Sequence, residues 1–359
     1  MDETLTMLQE LTDAPGPSGF EAPVRHVLQR YLAPYGEIIT DNLGSVAVRK
    51  VGQQNGPKVL IAGHLDEVGF MITRVTDDGY LKFQTIGGWW DQVMLAQRVE
   101  VITRNGVIPG VIGSKPPHIL APEERTKMVE KKQMYIDIGA SSKEQVREWG
   151  ISPGDPVVPV CPFTVMRNPD MLMAKAWDNR FGCALVVEVL KRLADTRHAN
   201  VLYGAATVQE EVGLRGATTI ANIVQPDIAF ALDTGIAGDT PGVGPDDAIG
   251  KLGGGPVILL YDGSMIPHTG LRDLVIDTAQ AEGIAVQFDK MAGGGTDAGK
   301  FHVTGAGAPS LVLGVAVRYI HTHASIMHRG DFDQAATLLA AVIKRLDSET
   351  VRSLKSNGA

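Results

Sequence analysis

The sequence predicts an α/β protein built on a mostly parallel sheet flanked by helices, with a small all-β, barrel-like unit inserted into it. Two observations support this prediction. After residue 162, apolar strand-like runs alternate with amphipathic helical segments, which is typical of a parallel sheet covered on both faces. Over residues 68–162, short β-rich pieces instead alternate with glycine and proline turns.

The periodicity of apolar residues assigns the individual elements. Helices are expected at residues 4–12 and 23–32, separated by a cluster of proline and glycine that forces a loop. A buried strand at 59–62 follows. Beyond the β-rich stretch, helices are expected at 181–193, 214–223, 271–282 and 333–346, and strands at 201–208, 228–232, 257–261, 284–288 and 309–315.

The β-rich stretch divides the chain into two units. Within it, Asn105-Gly106 separates two valine-rich runs and predicts a β-hairpin. We therefore expect residues 1–67 and 163–359 to form one discontinuous domain, with residues 68–162 inserted as a separate β domain.

Composition and charge exclude several classes of protein. The 359 residues carry a formal net charge of −8 and no dense Lys/Arg block, which argues against nucleic-acid binding. The two cysteines, Cys161 and Cys183, permit no disulfide framework, and Cys183 is expected in the core. Neither a signal-like N-terminus nor a membrane-spanning apolar run is seen, so a cytoplasmic protein without membrane contact is expected.

Side chains suited to metal binding follow several of the predicted strands. Open α/β sheets bind ligands at the carboxyl ends of their strands, so these side chains are expected at one edge of the sheet. The candidates are His64, Asp66, Asp178, Glu210, Glu211, Asp233, His321 and His323. This set of imidazoles and carboxylates suits zinc, cobalt or manganese.

Each candidate also has a structural interpretation when it is considered alone. Asp178 could cap the helix that follows it, and Asp233 could belong to a simple turn. Glu210 and Glu211 could be a solvated pair. The joint pattern favours a shared metal site, because several separate strand ends and loops bring metal-type ligands to the same expected edge.

The chain resembles the metallo-aminopeptidases of family forty-two, the tetrahedral (TET), glutamyl and deblocking aminopeptidase group, in which some relatives are labelled endoglucanase. The matching segments occur in family order over nearly the full length: "PSGFE", "DNLGS", "AGHLDEVGF", "KAWDNRFG", "QEEVGLRGA", "ALDT", "GGGTDAG" and "RYIHT". The resemblance implies a catalytic domain of the zinc-peptidase type, with the inserted β domain serving dimerisation or assembly.

The resemblance also implies a role for each site residue. His64 and Asp233 would bind one divalent metal ion, Glu211 and His321 a second, and Asp178 both. Asp66 would orient the His64 imidazole, and Asp297 and Gly295 of "GGGTDAG" would belong to the substrate pocket. Two ions per subunit are expected, with zinc or cobalt favoured over manganese.

The adjacent glutamates can take different roles because neighbouring residues of an extended segment point in different directions. Glu211 would bind metal, while Glu210 would act as the general base toward a metal-activated water. The implied reaction is removal of N-terminal residues from peptides.

Several alternatives stay open at this point. His323 competes with His321 as a ligand. The scaffold could instead serve a deacylase or carboxypeptidase, a glycoside hydrolase, or a binding protein without catalysis. Trp89-Trp90 could form a sugar platform, although packing against the β domain is favoured. The resemblance finally implies homo-oligomers, with dimers building a hollow dodecamer that admits only small or unfolded peptides.

Overall fold

A computed structural model describes residues 2–244, 246–291 and 293–356. The helices are α1 (Glu3–Asp13), α2 (Ala22–Leu32), α3 (Lys143–Glu148), α4 (Trp177–Arg192), α5 (Arg215–Val224), α6 (Thr269–Ala281), α7 (Ala298–Phe301), α8 (Arg329–Arg345) and α9 (Ser348–Ser356). In the main sheet, the strands are β1 (Glu37–Thr40), β2 (Val46–Val51), β3 (Lys58–His64), β10 (Thr164–Val165), β11 (Met171–Ala174), β12 (Val201–Thr207), β13 (Ile228–Ile236), β14 (Val257–Leu259), β15 (Gln287–Asp289), β16 (Ser310–Arg318) and β17 (Ser325–His328). The inserted unit contains β4 (Gly69–Val75), β5 (Leu81–Ile86), β6 (Arg98–Thr103), β7 (Gly106–Gly113), β8 (Tyr135–Asp137) and β9 (Pro156–Pro159).

Four parallel strands form the centre of the main sheet, in the order β12-β3-β13-β16. The neighbours β2, β14 and β17 join this centre in antiparallel orientation. Parallel strands need helical crossovers, and α5 supplies one between β12 and β13. The predicted α/β class with a helix-flanked sheet is confirmed, and the parallel pairing is concentrated where the site residues originate.

Alternate residues of β3 reach two different cores, which explains why its sequence reads as a continuous apolar run. Val59 and Ile61 pack on one face in the larger core with α4 and α8, whereas Leu60 and Ala62 pack on the other face with α5 and α7. Cys183 belongs to the larger core, as expected. Both faces of the central strands are thus covered, and only their ends are free to carry polar chemistry.

Two predicted strands are shorter in the structure than the sequence suggests. The strand expected at residues 257–261 ends at Leu259, and the one expected at 284–288 spans only Gln287–Asp289. The backbone N–H of Ile284 donates to the Ala279 carbonyl (2.9 Å), and Gly283 has φ +67°. These residues therefore complete the C-terminus of α6 before the strand begins.

The inserted unit is a closed six-stranded barrel with the strand order β4-β5-β8-β7-β6-β9. Its own apolar core is built around side chains such as Phe70, Val101 and Ile136. The predicted hairpin is present: Thr103 pairs with Gly106 across a tight turn, and Gly106 has φ +129°. The barrel-like insertion is confirmed, while the exact domain boundaries at 68 and 162 stay a prediction.

The chain enters and leaves the barrel close to the strand ends that carry the candidate site. Strand β3 ends at His64, and the first barrel strand begins five residues later at Gly69. Trp89 stacks on Phe70 (ring centroids 4.7 Å apart) and donates to the Gly69 carbonyl, as expected for a junction residue. Trp90 is 64% exposed, so the expectation that it packs at the same junction is wrong. Within the described ranges, no helix is both long and apolar enough to span a membrane.

Candidate metal centre

The ends of the parallel strands bring the predicted site residues together. His64 is the last residue of β3 and lies in register with Thr207, the last residue of β12. Glu210 and Glu211 follow Thr207 after a sharp turn in which Gln209 has φ +56°. Since both strands end at the same edge, the imidazole and the two carboxylates converge there.

Asp178 lies between the two imidazoles of the cluster. Its Oδ1 is 3.1 Å from Nε2 of His64, and its Oδ2 is 3.3 Å from Nε2 of His321. Glu211 Oε1 is also 3.3 Å from Nε2 of His321. Each carboxylate oxygen of Asp178 therefore faces a different histidine.

Two groups of ligand atoms in the cluster are compact enough to surround a metal ion. His64, Glu210 and Asp233 form one group, and His64, Asp178 and Glu211 form the other. Within each group, the ligand atoms all lie within 4.8 Å of one another. The predicted set is thus assembled in one place, with Glu210 close enough to be either a base or a ligand.

The two neighbouring histidines, His321 and His323, have different surroundings. His321 points into the cluster, whereas His323 packs against the rings of Trp89 and Phe70 (centroids 5.2 and 6.3 Å away). Within the part of the chain that the structure describes, neither ring nitrogen of His323 has a hydrogen-bond partner, and burial lowers the pKa of this residue to about 4. His323 is therefore a neutral packing residue between the barrel and the sheet domain.

Backbone geometry explains how Asp178 reaches the cluster. Asp178 and Asn179 have non-helical dihedral angles within the first turn of α4. The Asn179 side chain accepts from the Gly182 N–H (3.1 Å) and donates to the Leu232 carbonyl (2.7 Å). Asn179 thus caps the helix from inside the protein, which leaves the carboxylate of Asp178 free to face His64 and His321.

Asp66 organises the backbone beneath the cluster. The backbone carbonyl of Asp66 is 3.0 Å from Nδ1 of His64, and its carboxylate Oδ1 is 3.5 Å from the same atom. The two carboxylate oxygens accept the backbone N–H groups of Glu210 (3.0 Å) and Glu211 (3.1 Å), and Ser18 also donates to Oδ2 (2.6 Å). A single buried residue therefore contacts three members of the cluster.

The imidazoles of the cluster are strongly affected by the carboxylates around them. Burial alone would lower the pKa of His64, but Glu210, Asp178 and Asp66 raise this pKa well above its usual range. Burial also opposes the charge of His321, yet Asp178 and Glu211 raise its pKa to about 11. The carboxylates of the cluster therefore favour positive charge on both imidazoles.

The crowding of charged groups also shifts the pKa values of the carboxylates. Burial, followed by repulsion from other carboxylates, raises the pKa values of Glu210 and Asp233 well above their usual range. For Asp178, hydrogen bonds with His321 and His64 outweigh burial and hold the pKa well below its usual range. Close packing of like charges at this depth calls for a positive partner.

The donor set fits divalent metal ions. It consists of imidazole nitrogens and carboxylate oxygens, which zinc and related ions accept. Glu211 Oε1 is buried and accepts no hydrogen bond from the residues that the structure describes, and Nε2 of His321 lies 3.3 Å from it. A metal ion among these groups would bind that oxygen and offset the repulsion that raises the pKa of Glu210 and Asp233.

A buried ion-pair network behind Asp178 was missed in the sequence. Glu67 accepts both Lys175 Nζ (2.6 and 2.7 Å) and Arg180 Nη2 (3.2 Å), and all three side chains are at most 5% exposed. Lys175 and Arg180 flank Asp178 in "KAWDNRFG", and Glu67 directly follows Asp66. The available signal was three charged residues without an assigned role in the motifs that carry His64 and Asp178.

The cluster forms the floor of a cavity of about 370 Å³. Gly295 lines this cavity, as a substrate-pocket residue would. Asp297 is 2% exposed and lies outside the described cavity wall, with its Oδ2 accepting the Thr207 hydroxyl. Burial raises the pKa of Asp297 to about 6, and no described residue donates a hydrogen bond to its Oδ1.

Comparison with known proteins places these residues in a family. A family model described as M42 glutamyl aminopeptidase matches residues 44–338, which include every member of the cluster. The chain belongs to the M42 glutamyl aminopeptidase family. It is therefore a peptide-bond hydrolase of a metallopeptidase family, and the resemblance drawn from the sequence motifs is confirmed.

Relatives of this M42 protein cover nearly its full length. The glutamyl aminopeptidase of Lactococcus lactis is 38% identical over 99% of both chains. A TET aminopeptidase structure from a marine sediment Thaumarchaeota archaeon is 47% identical, covers 99% of this chain and 100% of its own, and has a TM-score of 0.96.

Other solved structures of this fold differ in assembly and in the activity for which they are named. The TET1 peptidase of Pyrococcus horikoshii is 33% identical, covers 96% of this chain and 100% of its own, and has a TM-score of 0.85. That peptidase can assemble into a tetrahedron or a large octahedral shell. Some structural relatives are named endoglucanase.

Proposed function

We propose that this M42 protein is a dinuclear aminopeptidase that removes N-terminal residues from peptides. The observation that carries the proposal is the position of Asp178, whose two carboxylate oxygens face different imidazoles. A carboxylate between two histidines is suited to bridging two ions. His64 and Asp233 would hold one ion and Glu211 and His321 the other.

Divalent ions held in such a site polarise a peptide carbonyl and lower the pKa of a water molecule. The protein's own contribution is to fix the ligands before substrate arrives. Asp66 holds the Glu210–Glu211 backbone and the His64 ring, and Asn179 fixes the turn that presents Asp178. The same contacts favour a rigid site, which limits the reorganisation that the reaction requires.

Glu210 is proposed as the general base. It is buried at the cavity floor, with its Oε2 3.8 Å from Nε2 of His64. Burial first, and then the Asp233, Asp297 and Glu211 carboxylates, raise its pKa well above the usual range. A carboxylate at this position can take a proton from the attacking water and return that proton to the leaving amine.

The decisive experiment uses metal-stripped protein and an aminoacyl-p-nitroanilide panel, followed by addition of zinc, cobalt or manganese. Activity should vanish on stripping and return with metal. Glu210→Gln should keep two ions per subunit, measured by elemental analysis, and lose at least about 10²-fold in kcat. A fully active Glu210→Gln variant, or one that binds fewer ions, would contradict the role of base.

Two other activities are tested in the same preparation. A deacylase or carboxypeptidase would leave free N-termini intact and cleave N-acylated residues or C-terminal residues, which mass spectrometry of digested peptides distinguishes. Glucan hydrolysis is the second alternative, because some relatives are named endoglucanase. A carboxylate-pair glycosidase would keep its activity in a chelator.

We also propose that the protein forms dimers that assemble into a dodecamer. The assemblies formed by TET1 relatives support this proposal. The barrel would supply contacts between subunits, and Trp90, Ile119 and Met128 on it are each more than 60% exposed. Light scattering coupled to size exclusion should give a mass of about twelve subunits, and a monomer would contradict the proposal.

A further inference from the structure

We propose that the cavity selects peptides whose N-terminal residue has an uncharged, apolar side chain. This inference rests on the proposed aminopeptidase function and names its substrate class. Apart from the cluster itself, the described wall of the cavity consists of glycines, Leu214, Met291, Ile320 and two threonines. Such a wall offers apolar contact to a substrate side chain and few polar groups.

The cavity wall lacks a partner for an acidic side chain. Among the described lining residues there is neither a lysine nor an arginine. Arg215 follows Leu214 in the chain, but its guanidinium is directed to Gln209 Oε1 (3.0 Å) on the protein surface. Lys290 precedes Met291 and is exposed outside the described wall. The carboxylate of an N-terminal glutamate would therefore be buried without a counter-charge.

The wall also lacks a free partner for a basic side chain. The carboxylates that line the cavity all belong to the proposed metal cluster, whose charge bound ions would offset. Asp262 lies behind Thr296 and is 1% exposed, and its Oδ1 and Oδ2 accept from Ser264, Met265 and Thr296. A lysine or arginine side chain would thus enter the cavity without an available carboxylate.

The glycines determine how much space the wall leaves. A Cβ atom at Gly295 would lie 2.7 Å from Ser264 Oγ, so this backbone is pressed against the loop behind it. Gly294 has φ +84°, and a Cβ there would be 3.6 Å from the sulfur of Met291. Gly295 thus allows the wall to pack closely on Ser264, and the absence of a side chain at Gly294 keeps the cavity open beside Met291. Its volume of about 370 Å³ suits a side chain of the size of leucine or methionine next to the reacting peptide.

Membership of the family does not by itself determine which N-terminal side chain the cavity accepts. The Lactococcus lactis relative is named for glutamate. A glutamate-selective cavity needs a cation, because an unpaired buried carboxylate is strongly disfavoured. The wall of this protein has an apolar thioether and two branched aliphatic side chains where such a cation would be needed.

The test compares kcat/KM for leucyl-, methionyl-, glutamyl- and lysyl-p-nitroanilide in metal-loaded protein. We expect the leucyl and methionyl substrates to exceed both charged ones by at least about tenfold. Equal or higher values for the glutamyl or lysyl substrate would overturn the inference while leaving aminopeptidase activity intact. Hydrolysis of none of the four would overturn the proposed function and this inference with it.

A charge placed in the wall provides the second part of the test. Met291→Lys should increase the ratio of glutamyl to leucyl hydrolysis by at least about tenfold relative to wild type. Met291→Gln has a long polar side chain without the charge and should not favour glutamate. Elemental analysis of both variants checks that the two metal equivalents are retained. If Met291→Lys binds its metal but the ratio does not change, Met291 does not contact the substrate side chain.

Discussion

The two histidines of the cluster are the same type of residue in opposite structural settings. His64 ends a central parallel strand, its side chain is 2% exposed, and its Nδ1 faces the Asp66 carbonyl. His321 lies in the loop after β16, its side chain is 35% exposed, and its backbone has φ +54°. One imidazole is fixed by the core of the sheet, whereas the other depends on an irregular loop.

One site can therefore combine a ligand that is held rigidly, His64, with a ligand that can adjust its position, His321. Side chains on packed strands keep their positions because neighbouring strands and helices leave no room to move. A half-exposed loop opens at a lower free energy than a core strand. We therefore expect the ion on the His64 side to bind more tightly than the ion on the His321 side.

Replacing each histidine by alanine should have the largest effect and tests this comparison directly. His64→Ala removes the ligand shared by both compact groups, so we expect loss of at least about 10³-fold in kcat/KM and of bound metal. His321→Ala should keep one ion and recover part of its activity at millimolar metal. The measurements are metal content after dialysis and activity against metal concentration.

The matched control for these variants is His323→Ala. This residue is close in sequence but packs against Trp89 and Phe70. It should lower the free energy of unfolding without changing the metal stoichiometry. If His64→Ala kept two ions and His321→Ala lost both, the proposed difference between the two sides would be reversed.

The buried ion pair behind Asp178 is expected to have the next largest effect. Glu67→Gln removes the negative partner of Lys175 and Arg180, which are 5% and 0% exposed. Breaking such a pair leaves uncompensated buried charge and should cost about 3–5 kcal/mol of unfolding free energy. Urea denaturation measures this loss.

A surface pair gives the control for that prediction. Asp227 and Lys355 form an ion pair with side chains 33% and 41% exposed. Asp227→Asn should cost less than about 1 kcal/mol. A similarly small cost for Glu67→Gln would show that the buried network contributes no more to stability than a surface ion pair.

The sequence could predict the residues that depend on strand ends, but not those that depend on loop geometry. His64 and the Glu210–Glu211 pair follow long apolar runs, so their place at the sheet edge follows from parallel topology alone. The choice between His321 and His323 depended on a positive φ angle and an aromatic contact, which periodicity does not encode. Periodicity could not predict the burial of Asp297 either, because a glycine-rich segment can expose or bury its polar residue.

Asp66→Asn should have an intermediate effect, and it should lower the metal affinity on both the His64 side and the His321 side. The carboxylate accepts the backbone N–H groups of Glu210 and Glu211, and its residue also contacts His64. Loss of a residue that orients ligands usually costs about 10- to 100-fold in metal affinity. Competition with a chelator measures the affinity, and a loss confined to one of the two ions would show that Asp66 supports only one side.

The smallest predicted effect concerns the turn before the glutamate pair. Glu21 Oε1 accepts the N–H groups of Gly19 (2.8 Å) and Gln209 (3.0 Å), and burial raises the pKa of Glu21 to about 7. Between its ordinary value of 4.5 and about 7, the unfolded chain releases a proton that the folded protein retains. The contribution of Glu21 to stability therefore falls as the pH rises through this window.

Glu21→Gln keeps an oxygen for both hydrogen bonds and removes the titration. Relative to this variant, the wild type should lose about 2–3 kcal/mol of unfolding free energy between pH 4.5 and pH 7. Urea denaturation of both proteins across this range gives the difference, in which metal binding and other titrations common to both cancel. A constant difference would show that Glu21 ionises normally. In that case a charged Glu21 would still accept the Gln209 N–H, and the turn before the glutamate pair would be held by an ionised carboxylate.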